Sequence, residues 1–217
     1  MNSYFDLHVI YSEKIEEILS RLLELGFKYV CIEFSFDQRK KIEDIKKKAK
    51  EIGIEAFSRI DLDVRNAVEY HRNITKSKAF FDIISIRKAP EELLKNVNLR
   101  RTHLINLSTV TTRLLWKIKA SETFLEFNFS EFFSLLRKRD RSYERLLTNA
   151  LIYDFYKLPI ILCSGASEPR NLLTPLQMIY SFPAIIGKKE INKKYILTLP
   201  QLLIRKAKPG VWKFEGI

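Results

Sequence analysis

Two short stretches decide the fold: Leu23-Glu24-Leu25-Gly26-Phe27 and Lys50-Glu51-Ile52-Gly53-Ile54. Each is typical of a helix end, a glycine turn and the start of a strand, because glycine adopts the left-handed conformation that closes many helices. The two glycines lie 27 residues apart, and eight units of about that length would use the whole chain. The repeat therefore predicts an α/β fold, a TIM-like (β/α)8 barrel.

The helices of both units carry an apolar stripe at helical spacing. The first helix follows Ser12, a predicted N-cap, and the second opens after Asp37. Their stripes are Ile15, Ile18, Leu19, Leu22 and Leu23, and Ile42, Ile45, Ala49 and Ile52. A third amphipathic helix is predicted over residues 142–158, and Thr174-Pro175 predicts an N-cap followed by proline at the first helical position.

Short β-rich runs alternate with these helices. They lie at residues 27–33, 54–60, 81–86, 102–107, 124–127 and 159–163. Alternation of this kind favours a parallel sheet, and with eight strand candidates in all a closed barrel is preferred to an open doubly wound sheet. No Gly/Ser-rich linker divides the chain, so residues 1–217 are predicted to form a single domain.

The charge balance points to a polyanionic partner. The chain has 38 Lys and Arg against 26 Asp and Glu, a formal net charge of +12. A basic surface releases counterions condensed on nucleic acid and so binds it without sequence preference. The alternative is the Lys- and Glu-rich surface of a thermophilic protein, but ion-pair networks alone would leave the balance nearer neutral.

Cysteine content and hydropathy exclude several classes. The only cysteines, Cys31 and Cys163, are each flanked by aliphatic residues, which predicts two buried reduced thiols rather than a disulfide framework or a zinc site. No run of about 18 uncharged apolar residues occurs, and the first residues have no signal-peptide pattern. We expect a cytoplasmic protein with no membrane association.

The C-terminal half carries a more specific pattern. The segment Phe124-Leu125-Glu126-Phe127-Asn128-Phe129-Ser130 is followed by a basic run, a long helix, and Pro159-Ile160-Ile161-Leu162-Cys163-Ser164-Gly165-Ala166. This order resembles the thirty-kilodalton-type protein subunit family of archaeal and eukaryotic ribonuclease P, and Arg170 and Thr174-Pro175 follow in the family's order. The run Leu199-Pro200-Gln201-Leu202-Leu203-Ile204-Arg205 resembles the family's closing strand. In a departure from the family, Ser181-Phe182-Pro183 is expected to cut the preceding helix short.

The resemblance implies a role in an archaeal ribonuclease P, the endonuclease that removes the 5′ leader of precursor tRNA. The partners would be the ribonuclease P RNA, a small ferredoxin-like protein subunit, other ribonuclease P proteins and, indirectly, precursor tRNA. The RNA would hold the magnesium ions and perform hydrolysis. This chain would bind no cofactor and would be non-catalytic, neutralising phosphates so that the RNA folds at lower magnesium.

Motifs for chemistry of the chain's own are incomplete. Tyr4-Phe5-Asp6-Leu7-His8-Val9-Ile10 resembles the first motif of the PHP metal-dependent phosphoesterases, but Ile10 replaces the second histidine. With three histidines in the chain, we interpret Asp6 and His8 as remnants or structural residues. Ser164 has no Gly-x-Ser-x-Gly context and is interpreted as part of a turn. A stand-alone PHP-like phosphoesterase remains the alternative, and a barrel enzyme for an anionic metabolite is a third.

Basic residues are the candidate RNA-binding groups, because they cluster near strand ends or lead into a helix. They are Arg39, Lys40, Arg87, Lys88, Arg100, Arg101, Arg137, Lys138, Arg139, Arg141, Arg170 and Lys188. Lys46-Lys47-Lys48 is interpreted as a solvated helix face. The apolar residues of 129–136 are interpreted either as core or, if exposed, as a docking patch for the partner subunit.

Overall fold

The seven strands form one parallel sheet in the order of the chain. The structure, a computed structural model, describes residues 3–209. The strands are β1 (Tyr4–Ile10), β2 (Phe27–Glu33), β3 (Glu55–Asp63), β4 (Ile83–Lys88), β5 (Leu104–Asn106), β6 (Phe124–Asn128) and β7 (Ile160–Cys163). They are buried because helices cover the outside of the sheet, as expected for parallel strands.

Nine α-helices lie among the described residues. They are α1 (Ile15–Glu24), α2 (Ile42–Ile52), α3 (Ala67–Ser77), α4 (Glu91–Asn96), α5 (Leu115–Ser121), α6 (Phe129–Arg137), α7 (Ser142–Phe155), α8 (Pro175–Ile185) and α9 (Thr198–Ala207). No helix within residues 3–209 is both long and apolar enough to cross a membrane.

The sheet curls until its first and last strands meet. At the carboxyl end, the Ile10 amide donates to the Ala166 carbonyl at 2.8 Å and the Gly165 amide donates to the His8 carbonyl at 2.9 Å. At the amino end, the Phe5 amide donates instead to the Ile196 carbonyl at 3.2 Å. The result is a seven-stranded, nearly closed parallel barrel.

The predicted eighth strand is wrong. Residues 199–205 lie in α9, and Leu203 and Ile204 of this helix are buried among the inward-facing side chains of the barrel. A short apolar run fits a buried helix as well as a strand. Helix α9 covers the amino end of the barrel, and residues 3–209 hold seven strands, which departs from the (β/α)8 prediction.

The core has two parts. A small cluster fills the barrel and includes Phe5, Phe57, Phe124 and Ile161. A larger cluster packs between the sheet and the helices, where Ile18, Leu22 and Ile45 of the predicted stripes are buried. Leu23, predicted on the first stripe, is instead 40% exposed. Burial on both sides explains the aliphatic composition of the strands.

Several local predictions are tested by the backbone. Gly26 and Gly53 have φ of 91° and 102°, which confirms both glycine turns, and Thr174 caps α8 in a capping box with Gln177. Ser12 is not the cap of α1, since its hydroxyl donates to the Ser167 carbonyl. Pro183 does not end α8, which continues to Ile185, because a proline in the last turn removes only one helical hydrogen bond.

Candidate nucleic-acid interface and the buried charge network

Inside the barrel, charged side chains come two residues after apolar ones along the strands. On β3 the order is Phe57, Arg59, Asp61, and on β6 it starts with Phe124 and Glu126. Alternate residues of a strand share one face, so each strand carries an apolar residue low in the barrel and charged ones nearer its carboxyl end. Arg59 and Glu126 are both completely buried.

Arg59 is the centre of this network. Its guanidinium donates to both carboxylate oxygens of Asp61, from Nε at 2.6 Å and from Nη2 at 3.0 Å. It also donates to Glu126 Oε2. The remaining bonds go to the Leu7 carbonyl at 2.9 Å and to Ser85 Oγ at 3.1 Å. Every partner lies on a different inward-facing position, so Arg59 ties β3 to β1, β4 and β6.

His8 extends the network to the barrel mouth. The pairing of β1 with β2 shifts register between Asp6 and Val9, an irregularity that re-aims side chains. The His8 ring contacts Glu126 Oε1 through Nδ1 at 2.5 Å and Glu33 Oε2 through Nε2 at 2.9 Å. Asp61 lies 4.0 Å from Nε2. His8 is therefore a bridging group between carboxylates, which fits the structural interpretation of this residue.

Burial and charge act in opposite directions on these groups. Burial lowers the pKa of His8, as does the Arg59 charge, but the carboxylates of Glu126 and Asp61 outweigh both and raise it to about 10. Burial raises the pKa of Glu126, yet Arg59 and His8 bring it down to about 2. At neutral pH the ring is an imidazolium and the carboxylate is ionised, so the network is a set of fixed ion pairs.

Asp6 and the turn after β7 fix the backbone around His8 through hydrogen bonds. Asp6 Oδ1 accepts the backbone amides of His8 at 3.2 Å and of Ser164 at 3.1 Å, while burial raises the Asp6 pKa to about 6. Ser164 Oγ bonds the His8 carbonyl and the Ala166 amide. Gly165 has φ of 65°. Ser164 thus belongs to a tight turn that joins β7 to β1, and its hydroxyl is engaged in holding that turn.

The cavity at the mouth has a volume of about 370 Å³ and an acidic centre. Its lining includes His8, Glu33, Asp61 and Glu131. Two cations, Arg87 and Lys88, lie at its edge. Carboxylates at the centre repel phosphate, so a polyanion is favoured on the surrounding rim rather than inside the mouth.

The rim brings together part of the predicted cationic set. Arg87 and Lys88 end β4, and Arg137 and Arg170 line one depression beside the turn at Gly165. Lys138, Arg139 and Arg141 are exposed between α6 and α7. Arg87 is partly neutralised by Asp63, at 3.0 Å, and Arg170 by Glu168, at 2.8 Å, but exposed pairs of this kind are weak and exchange partners readily.

Other predicted cations lie elsewhere. Arg100 and Arg101 precede β5, at the amino end of the barrel, and Arg101 contacts His71 and Thr75. Lys188 is paired with Asp154. These three do not join the rim, because connections that lead into a strand lie opposite the connections that leave it.

Arg39 and Lys40 follow β2 in a 3₁₀ helix, Phe36–Lys41. The Arg39 guanidinium lies 5.7 Å from the Phe80 ring centre. Lys46, predicted to be solvated, in fact pairs with Asp82 at 2.9 Å. Arg39 and Lys46 are therefore partly engaged in contacts within the chain.

Sequence reasoning missed some groups near the mouth. Arg72 and Lys76 of α3 line a depression that Arg87 also lines, and Arg145 of α7 lines another with Lys88. Each is a single cation on a helix, with no lysine or arginine next to it in the sequence, whereas the predicted candidates were mostly found as adjacent pairs of basic residues. Of the apolar segment 129–136, Phe129 and Phe132 are core, whereas Phe133 and Leu136 are exposed beside Arg137 and Arg170.

The cysteine prediction is confirmed. Cys31 and Cys163 are both buried and free. Burial raises the pKa of both thiols well above the usual range, which makes them poor nucleophiles and poor metal ligands.

Fold and site together define a class: a parallel α/β barrel with a network of paired charges inside it and with exposed cations around its carboxyl rim. The chain belongs to the RNase P subunit p30 family, whose model matches residues 3–209. No curated protein sequence matches at a significant level.

Solved structures agree on the fold. A chain of the cryo-EM structure of archaeal ribonuclease P with mature tRNA has a TM-score of 0.73 at 15% identity, over 94% of this chain and 90% of that one. A. niger ochratoxinase has a TM-score of 0.63 at 10% identity, over 94% of this chain and 71% of the enzyme's. The same barrel thus occurs in a ribonucleoprotein subunit and in an enzyme, so the fold alone does not define activity.

Proposed function

We propose that this chain is a non-catalytic, RNA-binding subunit of an archaeal-type ribonuclease P. Membership of the RNase P subunit p30 family supports the assignment to this assembly. The observation that carries the RNA-binding role is the set of exposed cations around the mouth, with Arg137 and Arg170 in one depression. One of the solved structures with the same barrel is an archaeal ribonuclease P with mature tRNA, which supports the assignment.

Phosphate neutralisation is the physical contribution of the rim. Exposed guanidinium and ammonium groups contact the sugar-phosphate chain and release counterions, which favours folded RNA at lower magnesium. Base edges need not be contacted, since recognition of folded RNA relies mainly on shape and backbone. In this proposal hydrolysis, and the magnesium that it needs, belong to the RNA.

A small ferredoxin-like subunit and further ribonuclease P proteins are the proposed protein partners. Phe133 and Leu136, exposed at 38% and 46%, are candidates for part of such a contact because they lie side by side at the rim. Precursor tRNA is expected to meet this chain only within the assembly.

Reconstitution tests the proposed function. The chain alone should not cleave precursor tRNA. Added to the ribonuclease P RNA with its partner subunit, it should lower the magnesium concentration at which cleavage is half-maximal. Equal cleavage with and without the chain, at every magnesium concentration, would reject the proposal.

The rival function is a stand-alone metal-dependent phosphoesterase. It is favoured by one observation, that ligand atoms of His8, Asp61 and Glu126 lie within 4.8 Å of one another. Against it, Arg59 is bonded to both of those carboxylates. The rival requires metal-dependent hydrolysis of phosphate esters by the purified chain, lost in His8→Ala, and we expect neither.

A further inference from the structure

The barrel centre has the ligand chemistry of a divalent metal site. His8, Asp61 and Glu126 come from three different strands, and each offers one ligand atom within 4.8 Å of the others. One imidazole nitrogen with carboxylate oxygens is a set that binds Zn²⁺ or Mn²⁺. Glu33 contacts the other ring nitrogen of His8 and would orient that ring.

These ligand atoms are already in use, however. Both oxygens of Asp61 and one of Glu126 accept hydrogen bonds from Arg59. The second Glu126 oxygen contacts His8, whose other ring nitrogen contacts Glu33. A divalent ion among these groups would lie beside a completely buried guanidinium, and like charges repel strongly where water is excluded. The residues therefore do not fit a metal ion while Arg59 is present.

We propose that Arg59 takes the place of a divalent cation in this barrel, and that His8, Asp61 and Glu126 form a latent metal site that opens when the guanidinium is removed. The guanidinium is planar and donates to several carboxylate oxygens at once, as a multiply coordinated ion would. It thereby holds the strands of the barrel together without a metal supply. This role is independent of the proposed RNA binding.

An ordinary buried ion pair makes a different prediction. If Arg59 only stabilised Asp61 and Glu126, removing it would destabilise the protein and create no affinity for metal. The proposal predicts destabilisation together with a new ligand. Metal content is therefore the measurement that separates the two roles.

The test uses the full chain and two variants. Arg59→Met keeps much of the side-chain length without charge, and Arg59→Gln keeps an amide that can donate to Asp61. Each protein is stripped with a chelator, equilibrated with Zn²⁺ or Mn²⁺, dialysed and analysed by mass spectrometry of the metal, with thermal unfolding in parallel. The variants should retain about one equivalent and unfold at higher temperature with metal, while the parent chain retains none.

A matched control locates the ion. Adding Glu126→Gln to either variant should abolish retention, because the carboxylate that Arg59 now contacts would be missing. Three results would overturn the proposal: one equivalent of metal held by the parent chain and lost in His8→Ala, no retention by either folded variant, or failure of both variants to fold even with Zn²⁺, since the ion is predicted to restore the missing positive charge.

Discussion

The inside of the barrel and its rim use charge in opposite ways. Inside, Arg59 and His8 are enclosed by Asp61, Glu126 and Glu33, with bonds fixed by the strands. At the rim, cations are exposed and their partners are few. Buried charges without partners are costly, so each charge in the interior must have a partner, whereas water screens the rim until a polyanion arrives. Charge inside the barrel thus serves stability, and charge at the rim is available for binding.

The largest effect is expected from breaking the interior. In Arg59→Ala, measured in metal-free buffer, the carboxylates of Asp61 and Glu126 lose their buried partner, and the free energy of unfolding should fall by about 3–5 kcal/mol. Denaturant unfolding gives the value. Lys47→Ala is the control, since Lys47 is 78% exposed and 4.0 Å from Glu51, and it should change little. If the two substitutions lowered the free energy of unfolding equally, the buried network would be no more important for stability than an exposed ion pair.

A smaller effect is expected at the boundary between the regions. A Cβ added at Gly165 would lie 2.1 Å from Asn128 Oδ1, at a φ of +65°. Gly165→Ala should therefore cost about 1–3 kcal/mol, and should disturb Asn128, which caps α6. Gly187→Ala has a similar φ, +70°, with nothing within 4 Å, so it isolates the backbone strain. If both variants lose the same stability, the contact with Asn128 is unimportant.

A more gradual effect is a pH dependence of the interior, spread over several pH units. The pKa of His8 is raised to about 10 from 6.5, so its contribution to stability is complete below about pH 6.5 and is lost as pH rises through 10. Between pH 7 and 9.5 the free energy of unfolding should decline by up to about 1.4 kcal/mol per pH unit. His8→Gln should flatten this slope. An unchanged slope in His8→Gln would assign it to another group.

Below pH 7, the free energy of unfolding depends on other groups. Glu126, with its pKa lowered to about 2, contributes stability above pH 4.5 that is lost as pH falls toward 2. Burial, followed by the charges of Lys78 and Lys206, lowers the pKa of His103 to about 4, so stability also falls between pH 6.5 and 4. Measurements above pH 7 avoid both groups.

The sequence predicted the outer parts of this molecule better than its centre. Strand β2 and helix α2 were predictable because glycine turns and apolar periodicity are local signals. Residues 199–205 were not, because a short run rich in leucine and isoleucine fits a strand or a buried helix equally well. Which one forms depends on the gap at the end of the barrel, a tertiary property.

The charge network was visible only as a weak signal. Arg59 and Asp61 follow Phe57 at a spacing of two on β3, and Glu126 follows Phe124 in the same way on β6, which places all three on the inner face. Their mutual contacts join positions 67 residues apart in the case of Arg59 and Glu126. The basic doublets were easier to see, yet Arg100 and Arg101 lie at the amino end and away from the rim, because composition does not tell which end of the barrel a loop occupies.

The salt dependence of RNA binding tests the central claim most directly. One variant reverses three cations near the rim, Arg137→Glu, Arg139→Glu and Arg141→Glu. A second, equal in net charge, reverses three at the amino end, Arg100→Glu, Arg101→Glu and Lys119→Glu; Lys119 of α5 lines a depression there with Phe124 and Pro159. Affinity for ribonuclease P RNA is measured across a salt series. The first variant should bind more weakly, with the slope of log affinity against log salt reduced by roughly 0.7–0.9 for each phosphate that is no longer neutralised, while the second keeps the parent slope. Identical slopes for the two variants would contradict binding at the rim.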